Sequence, residues 1–185
     1  KLTKNQIHVS NEINADLKSN FKMFRLLHGD VGTGKTIVSF IAASNVIESN
    51  WQVALMAPTE ILAKQHFNLA RSTYPKKINI ALLTGKTISK EKKKIKKEIN
   101  QQNIDIVFGT HALFQKNIIF KKLGYIIIDE QHKFGVNQRK NLSDKGGKNC
   151  DVLLMSATPI PRTLIMSVYG DMDISLIKEK PKHRK

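Results

Sequence analysis

The chain has 185 residues, which is enough for one well-buried domain and too few for two ordinary ones. Its 31 lysines and arginines against 15 acidic residues give a formal charge of +16, which favours polyanionic partners such as nucleic acid and disfavours acidic surfaces. Cys150 is the single cysteine, which excludes an internal disulfide framework, and neither a signal peptide nor an apolar run of membrane-spanning length (roughly 20 residues) is visible, so we expect a soluble, cytoplasmic protein with no membrane partner.

The distribution of apolar residues predicts alternating strands and helices. Near-continuous apolar runs of strand length suit strands that are covered on both faces, and helix-compatible stretches lie between several of them. The strands are predicted at residues 24–27, 52–57, 78–83, 104–108, 125–129 and 151–156, and the helices at residues 35–48, 60–72 and 89–100. This alternation predicts an α/β fold with a mostly parallel, doubly wound sheet and helices on both faces, whose ligands bind at the carboxyl ends of the strands.

A further helix is predicted at the beginning of the chain. Thr3 and Gln6 have the spacing of a capping box, in which each side chain accepts a hydrogen bond from the backbone N–H of the other residue. Ile7, Ile13 and Leu17 follow as the expected buried stripe.

The first predicted strand leads directly into a phosphate-binding loop. Residues 29–36 read Gly-Asp-Val-Gly-Thr-Gly-Lys-Thr, a complete P-loop between a strand and a helix. Its glycines let backbone N–H groups converge on phosphate oxygens, and the helix that follows presents its positive N-terminal end to the same anion. Lys35 is expected to reach the terminal phosphates and Thr36 to bind Mg²⁺. The predicted nucleotide-binding residues of the loop are Gly29, Asp30, Val31, Gly32, Thr33, Gly34, Lys35 and Thr36.

The fifth predicted strand ends in two adjacent carboxylates, Asp129 and Glu130. The end of this strand would place them beside the phosphate site, so we assign Asp129 to Mg²⁺ and Glu130 to the attacking water, which it orients or deprotonates. An isolated Asp-Glu pair is more often an acidic turn after a strand. The P-loop upstream favours the catalytic interpretation, and the two motifs together predict NTP hydrolysis.

Three motifs together resemble those of the superfamily 2 helicases: the P-loop, Asp129-Glu130-Gln131-His132 and Ser156-Ala157-Thr158. Longer strings at residues 54–66, 109–113, 129–136 and 156–163 resemble the RecG family of bacterial ATP-dependent DNA helicases, and the resemblance covers essentially the whole chain. It implies a RecA-like P-loop NTPase domain. Residues 1–180 would form the first motor lobe of such a helicase, and residues 181–185 would begin a connector to a missing second lobe.

The resemblance implies ATP and Mg²⁺ as cofactors and a motor that remodels branched DNA, such as stalled forks and Holliday junctions, in recombination and repair. The implied catalytic residues are Lys35, Asp129, Glu130, Gln131 and His132. A wedge domain and a second lobe with an arginine finger would complete the enzyme. Because such an arginine contributes about 10³–10⁵ in rate, the chain alone is expected to bind ATP but to hydrolyse it very slowly.

Two alternatives to this assignment remain at the level of sequence. One is a DNA translocase of the transcription-repair coupling factor type, although that family usually has glutamate where this chain has Gln131. The other is a nucleotide- and DNA-binding module with little activity of its own.

Segments that follow the predicted strands resemble the family's contacts with the nucleic-acid backbone, which use hydroxyls and helix N-termini. They comprise Pro58, Thr59, Glu60, Thr84, Gly85, Gly109, Thr110 and His111. Each could instead be a helix cap or a turn. Ser156, Ala157, Thr158 and Arg162 would couple nucleotide state to DNA binding, although small residues at a strand end are also ordinary packing.

Gln6 also resembles the glutamine that contacts adenine in this superfamily, since an amide can both donate to and accept from a purine edge. The capping role does not exclude this contact. In the lysine-rich run at residues 86–97, Ile88, Ile95 and Ile99 have helical spacing, and we favour a solvated helix face over a track for nucleic acid. The aromatic residues, Trp51 and the phenylalanines, are predicted to be core or boundary residues.

Overall fold

One sheet of parallel strands forms the centre of the fold. The computed structural model describes residues 2–129, 150–158 and 172–181. The strands are β1 (Phe24–Gly29), β2 (Gln52–Met56), β3 (Ile80–Leu83), β4 (Ile106–Gly109), β5 (Leu123–Asp129), β6 (Asp151–Ser156) and β7 (Asp173–Ile177). They form a seven-stranded sheet in the order β3-β4-β2-β5-β6-β1-β7, in which all neighbours pair in parallel. The predicted parallel α/β sheet is confirmed.

The described residues also form four helices and a short 3-10 helix. The helices are α1 (Lys4–Leu17), α2 (Lys35–Glu48), α3 (Glu60–Thr73) and α4 (Ser89–Gln101), and the 3-10 helix is His111–Phe114. The bounds of α2 are as predicted, and α3 and α4 each end one residue later than predicted. The strands at Ile80 and Ile106 begin two residues later than predicted; the Ile78 N–H instead bonds to the Pro75 carbonyl in a turn.

Hydrophobic cores cover both faces of the sheet, and β5 shows why. Every residue of β5 is buried, and successive side chains point to opposite faces. Ile126 and Ile128 join the core beneath α4, whereas Tyr125 and Ile127 join the core beneath α1, α2 and α3. Fully burying one such isoleucine contributes roughly 1.5–3 kcal/mol, so these central strands are held firmly from both sides. Helices on both faces are thereby confirmed.

The capping box of α1 is present as predicted, but its predicted buried stripe is partly wrong. Ile7 is 47% exposed, and Val9 lies in the core with Ile13 instead. Residues four apart share a helix face, whereas Ile7 is turned by about 120° from Ile13. None of the helices in the described parts of the chain has the length and apolar character to cross a bilayer.

Besides Ile7, two further predicted core or stripe residues lie at the surface. Phe21, in the turn between α1 and β1, is 84% exposed, which contradicts its assignment to the core or its boundary. Ile88 is 72% exposed because it is the residue before α4 and not part of its inward face, which Ile95 and Ile99 form. The lysines of α4 are exposed or half-buried, in agreement with the predicted solvated face.

Strand β7 was not predicted, and it completes the surroundings of β1. Only Ser175 and Ile177 of β7 are buried, so its sequence lacks the continuous apolar run of the central strands. The buried Arg25 of β1 holds the two strands together: its Nη1 donates to Ser175 Oγ at 2.9 Å, and its Nε donates to Asp16 of α1 at 2.7 Å. The loop after β1 therefore lies between the ends of β6 and β7.

Candidate nucleotide site

Three predicted site segments lie side by side at the carboxyl ends of the central strands. In the register of the sheet, His28 near the end of β1 lies beside Ser156 of β6. On the other side of β6, Met155 lies beside Asp129, the last residue of β5. Because neighbouring strands are about 4.8 Å apart, Asp129 is about 10 Å from the strand that leads into the P-loop. The P-loop, the segment after β6 and the predicted metal ligand thus share one edge of the sheet.

Gly34 shapes the junction between the P-loop and α2. It precedes α2 with a φ of 90°, in the left-handed region, and as a glycine it supplies no side-chain cap. The first N–H groups of α2 therefore have no side-chain acceptor from their N-cap, which leaves the positive end of the helix directed to a ligand. A Cβ on Gly34 would collide with the Gln6 amide nitrogen.

Lys35 is the first residue of α2, and its side chain folds back over the preceding part of the P-loop. Its Nζ donates hydrogen bonds to the carbonyl of Gly29 at 2.6 Å and to that of Asp30 at 3.1 Å. The Thr33 hydroxyl also donates to the Asp30 carbonyl, at 2.9 Å. These contacts place a cation at the mouth of the loop, where phosphate oxygens would compete with the carbonyls for its protons.

Gln6 reaches the P-loop from α1. Its Nε2 donates to the Thr33 carbonyl at 2.7 Å, and its Oε1 accepts from the Thr3 N–H at 3.0 Å. The residue is only 3% exposed. The structure therefore brings Gln6 to the nucleotide-binding loop as a brace of the loop backbone, a role that sequence reasoning missed; the adenine contact stays a prediction.

The tip of the P-loop is exposed and contacts the chain after β7. Val31 is 73% exposed. The Asp30 carboxylate pairs with Lys180 Nζ at 2.6 Å. The hydrogen bond from Lys180 and the backbone N–H of Val31 lower the pKa of Asp30. Lys180 is the last residue of the predicted lobe, so the chain directly before the predicted connector contacts the loop.

Asp129 has a partner that the sequence did not predict. Its Oδ2 lies 2.7 Å from Nε2 of His66 on α3, and each residue is 9% exposed. An ionised carboxylate only accepts hydrogen bonds, so Nε2 of His66 carries the proton in this contact. The one available signal was a polar residue on the inward face of α3, whose other buried residues are Ala63 and Ala70.

The residues at this edge fit a magnesium ion that is shared with a nucleotide. Within the described ranges there is no cluster of three or more His, Cys, Asp or Glu side chains that could hold a metal by itself. Mg²⁺ usually takes one or two protein oxygens and completes its shell with phosphates and water. The Asp129 carboxylate and the Thr36 hydroxyl in the first turn of α2 are donors of that kind.

The predicted nucleic-acid segments also come together. Thr59 caps α3, with its hydroxyl accepting from the Leu62 N–H at 3.2 Å. The Glu60 carboxylate accepts from the Lys86 N–H at 3.1 Å and pairs with Lys86 Nζ at 3.6 Å, which joins this segment to the loop after β3. The Ala57 N–H bonds to the Gly109 carbonyl at 2.9 Å. The contacts of Glu60 therefore connect the beginning of α3 to the loop after β3.

Exposure divides these predicted contact residues into two groups. Thr59, Gly85 and His111 are exposed, and Pro58 and Glu60 are half-buried. Buried residues form the second group: Thr84, Gly109 and Thr110. The exposed group is the part of this surface that a strand could contact without rearrangement of the protein.

The predicted coupling segment follows β6, between the P-loop strand and β5. Ser156 is fully buried, its hydroxyl lies 3.1 Å from that of Thr158, and it accepts from the Thr158 N–H at 3.2 Å. Ala157 between them is half-buried. Four predicted site residues lie outside the described ranges: Glu130, Gln131, His132 and Arg162.

Comparison with known proteins identifies relatives along the whole chain. The RecG ATP-dependent DNA helicase of Aquifex aeolicus (strain VF5) is 51% identical over 187 residues, which cover 100% of this chain and 24% of the relative. The RecG of Staphylococcus aureus (strain MRSA252) is 49% identical and is covered to 27%. The chain thus spans about a quarter of the length of the curated relatives that it matches.

Solved structures agree with these sequence matches. A structure of RecG bound to a three-way DNA junction superposes with a TM-score of 0.85 at 45% identity, covering 100% of this chain and 25% of that one. The DEAD-box helicase Mss116, bound to single-stranded RNA, shares the fold, with a TM-score of 0.72 at 21% identity over 98% of this chain and 41% of that one. The DEAD/DEAH box helicase model matches residues 3–166. The chain therefore belongs to the DEAD/DEAH box helicase family, and RecG helicases resemble it over its full length.

Proposed function

We propose that the chain is the ATP-binding motor lobe of a DNA helicase that couples ATP hydrolysis to the remodelling of branched DNA. The observation that carries this proposal is the P-loop between β1 and α2, with Gly34 in the left-handed region and Lys35 at the loop mouth. Asp129 ends β5 on the same edge. This arrangement provides a cradle for a triphosphate with a metal-binding carboxylate opposite it.

Each residue has a defined task in this proposal. The N–H groups of the loop and of the first turn of α2 bind the phosphates, and Lys35 exchanges its loop carbonyls for terminal phosphate oxygens. Thr36 and Asp129 would hold Mg²⁺, which would supply positive charge to neutralise the phosphates. Glu130 is the proposed residue that aims the attacking water, and Gln131 and His132 are the remaining proposed catalytic residues.

The proposed partner is branched DNA at the edge formed by Thr59, Gly85 and His111. A RecG relative at 45% identity has been solved bound to a three-way DNA junction, and RecG relatives favour this assignment over a transcription-repair coupling translocase. Residues 1–180 are the proposed first lobe, with the connector beginning at residue 181. A second lobe and a wedge domain complete the proposed enzyme, so this lobe alone hydrolyses ATP very slowly.

Titration with a fluorescent, non-hydrolysable ATP analogue in the presence of Mg²⁺ tests the proposal. A charge-assisted hydrogen bond contributes about 1.5–3 kcal/mol, so Lys35→Ala should weaken analogue binding about 10- to 100-fold. Lys93→Ala, which removes an exposed lysine of α4, is the matched control and should leave binding unchanged. Unchanged affinity in Lys35→Ala would reject the assignment of the P-loop.

A further inference from the structure

The pair formed by His66 and Asp129 links two parts of the molecule that sequence reasoning treated separately. Asp129 ends β5 at the nucleotide edge, and His66 lies in α3, which begins beside the predicted nucleic-acid segments. The hydrogen bond from Nε2 to Oδ2 is 2.7 Å long, and both side chains are about nine-tenths buried. A short, buried contact of this kind fixes the positions of both groups.

Packing alone does not account for a histidine at this position. The inward face of α3 is otherwise apolar, with Ala63 and Ala70 fully buried and the partly buried Phe67 packed against the same core. Burying an imidazole and a carboxylate requires desolvation of both groups, whereas an apolar side chain would fill the same space without that penalty. The polar pair therefore serves the placement of Asp129 more than the stability of the helix.

We propose that His66 is a positioning residue that holds Oδ2 of Asp129, so that the carboxylate is presented to the magnesium–nucleotide, and that α3 makes this hold sensitive to nucleic acid. The inference rests on the proposed function. Partners of metal-binding side chains commonly change metal affinity 10- to 100-fold when they are removed. Because a carboxylate has lone pairs on both oxygens, one oxygen can accept the hydrogen bond from the histidine while the other binds the cation.

Helix α3 provides the connection to nucleic acid. Its N-cap, Thr59, is exposed at the edge where a strand would bind, and His66 lies seven residues further on. That separation is about two helical turns, or about 10 Å along a rigid helix. Glu60 fixes the same end of α3 to Lys86 in the loop after β3. A displacement of this end by a bound strand would therefore be carried to Asp129 through His66.

The test measures binding, not turnover, in the complete protein. Affinity for a fluorescent, non-hydrolysable ATP analogue is determined with Mg²⁺ and with EDTA, and the ratio of the two affinities reports the contribution of the metal. His66→Leu should lower this ratio about 10-fold, with affinity in EDTA unchanged within about twofold. His66→Gln, whose amide can still donate to Asp129, should retain most of the ratio.

Tyr74→Phe is the matched control for damage to α3. Tyr74 follows α3 directly and donates a buried hydrogen bond of 2.8 Å to the Phe40 carbonyl, so its loss perturbs the packing of the same helix without a contact to Asp129. The ratio should remain at the wild-type value in this variant. In an Asp129→Asn background, which lowers the ratio by itself, His66→Leu should have no further effect because it acts through Asp129.

Two results would overturn the positioning role. One is a wild-type ratio in His66→Leu, and the other is a reduction by His66→Leu that is as large in the Asp129→Asn background as in wild type. The link through α3 is tested by adding a saturating single-stranded oligonucleotide, which should change the ratio in wild type and not in His66→Leu. An equal oligonucleotide effect in both proteins would overturn that link. Failure of wild type to bind the analogue in either condition would instead reject the proposed function itself.

Discussion

Substitution of Gly34 by alanine should disrupt the P-loop in a way that depends on Gln6. Gly34 has a φ of 90°, and a Cβ at this position would collide with Nε2 of Gln6. That nitrogen donates the 2.7 Å hydrogen bond to the Thr33 carbonyl. The new methyl group therefore imposes an unfavourable backbone conformation and also displaces the side chain that braces the loop.

The loss of stability expected for Gly34→Ala has two contributions. A non-glycine residue in the left-handed region costs about 1–2 kcal/mol. Displacing Gln6 leaves the buried Thr33 carbonyl without its donor, which costs about 1–3 kcal/mol. Gly34→Ala should therefore lower the free energy of unfolding by about 2–5 kcal/mol. In a Gln6→Ala background the obstacle and the donor are both already absent, so the same substitution should cost only about 1–2 kcal/mol.

Urea denaturation of wild type, both single variants and the double variant measures this difference. Gly85→Ala is the control, because a Cβ there would approach only the flexible end of the Glu60 side chain, at 3.2 Å, and should change stability by less than about 1 kcal/mol. An equal cost of Gly34→Ala with and without Gln6 would refute the proposed contact between α1 and the loop.

Three further predictions concern the rest of the described structure. Burial raises the pKa of Asp151 to about 6, so its neutral form stabilises the fold at low pH and this contribution is lost as pH rises through that value. Asp151→Asn keeps the acceptor for the Met23 N–H and should therefore raise the free energy of unfolding more at pH 7 than at pH 4; equal effects at both would contradict this. Arg25→Ala should cost about 3 kcal/mol in urea melts because it leaves the Asp16 carboxylate of α1 without its cation and removes a hydrogen bond to buried Ser175, and a loss below about 1 kcal/mol would argue against this role of Arg25. Burial raises the pKa of the Cys150 thiol to about 12, so a thiol reagent should label it only as the chain unfolds, and rapid labelling without urea would disagree with its burial.

Central strands and the P-loop were predictable because their signals are local. Strand β5 is buried on both faces and therefore reads as a continuous apolar run, and residues 29–36 carry their function in consecutive positions. Strand β7 was missed because an edge strand buries only some of its side chains, here Ser175 and Ile177. Its partner in the sheet, Arg25, lies 150 residues away from Ser175, beyond the reach of any local pattern.

The contacts that organise the site were unpredictable for the same reason. Gln6 and Thr33 are 27 residues apart, and His66 and Asp129 are 63 residues apart. Each pair meets only because helices and strands from different parts of the chain pack at one sheet edge. Helical spacing also misplaced Ile7, because a stripe chosen by residue type alone ignored that Gln6 itself occupies the inward face of α1.

A structure of the protein with a non-hydrolysable ATP analogue and Mg²⁺ tests the central claim most directly. The account predicts phosphate oxygens at the N–H groups of residues 30–36, Lys35 Nζ moved from the Gly29 carbonyl to a terminal phosphate, and the metal between Thr36 and Asp129. An analogue bound elsewhere, or phosphates in the loop with Lys35 still bonded to Gly29 and Asp129 remote from the metal, would contradict it.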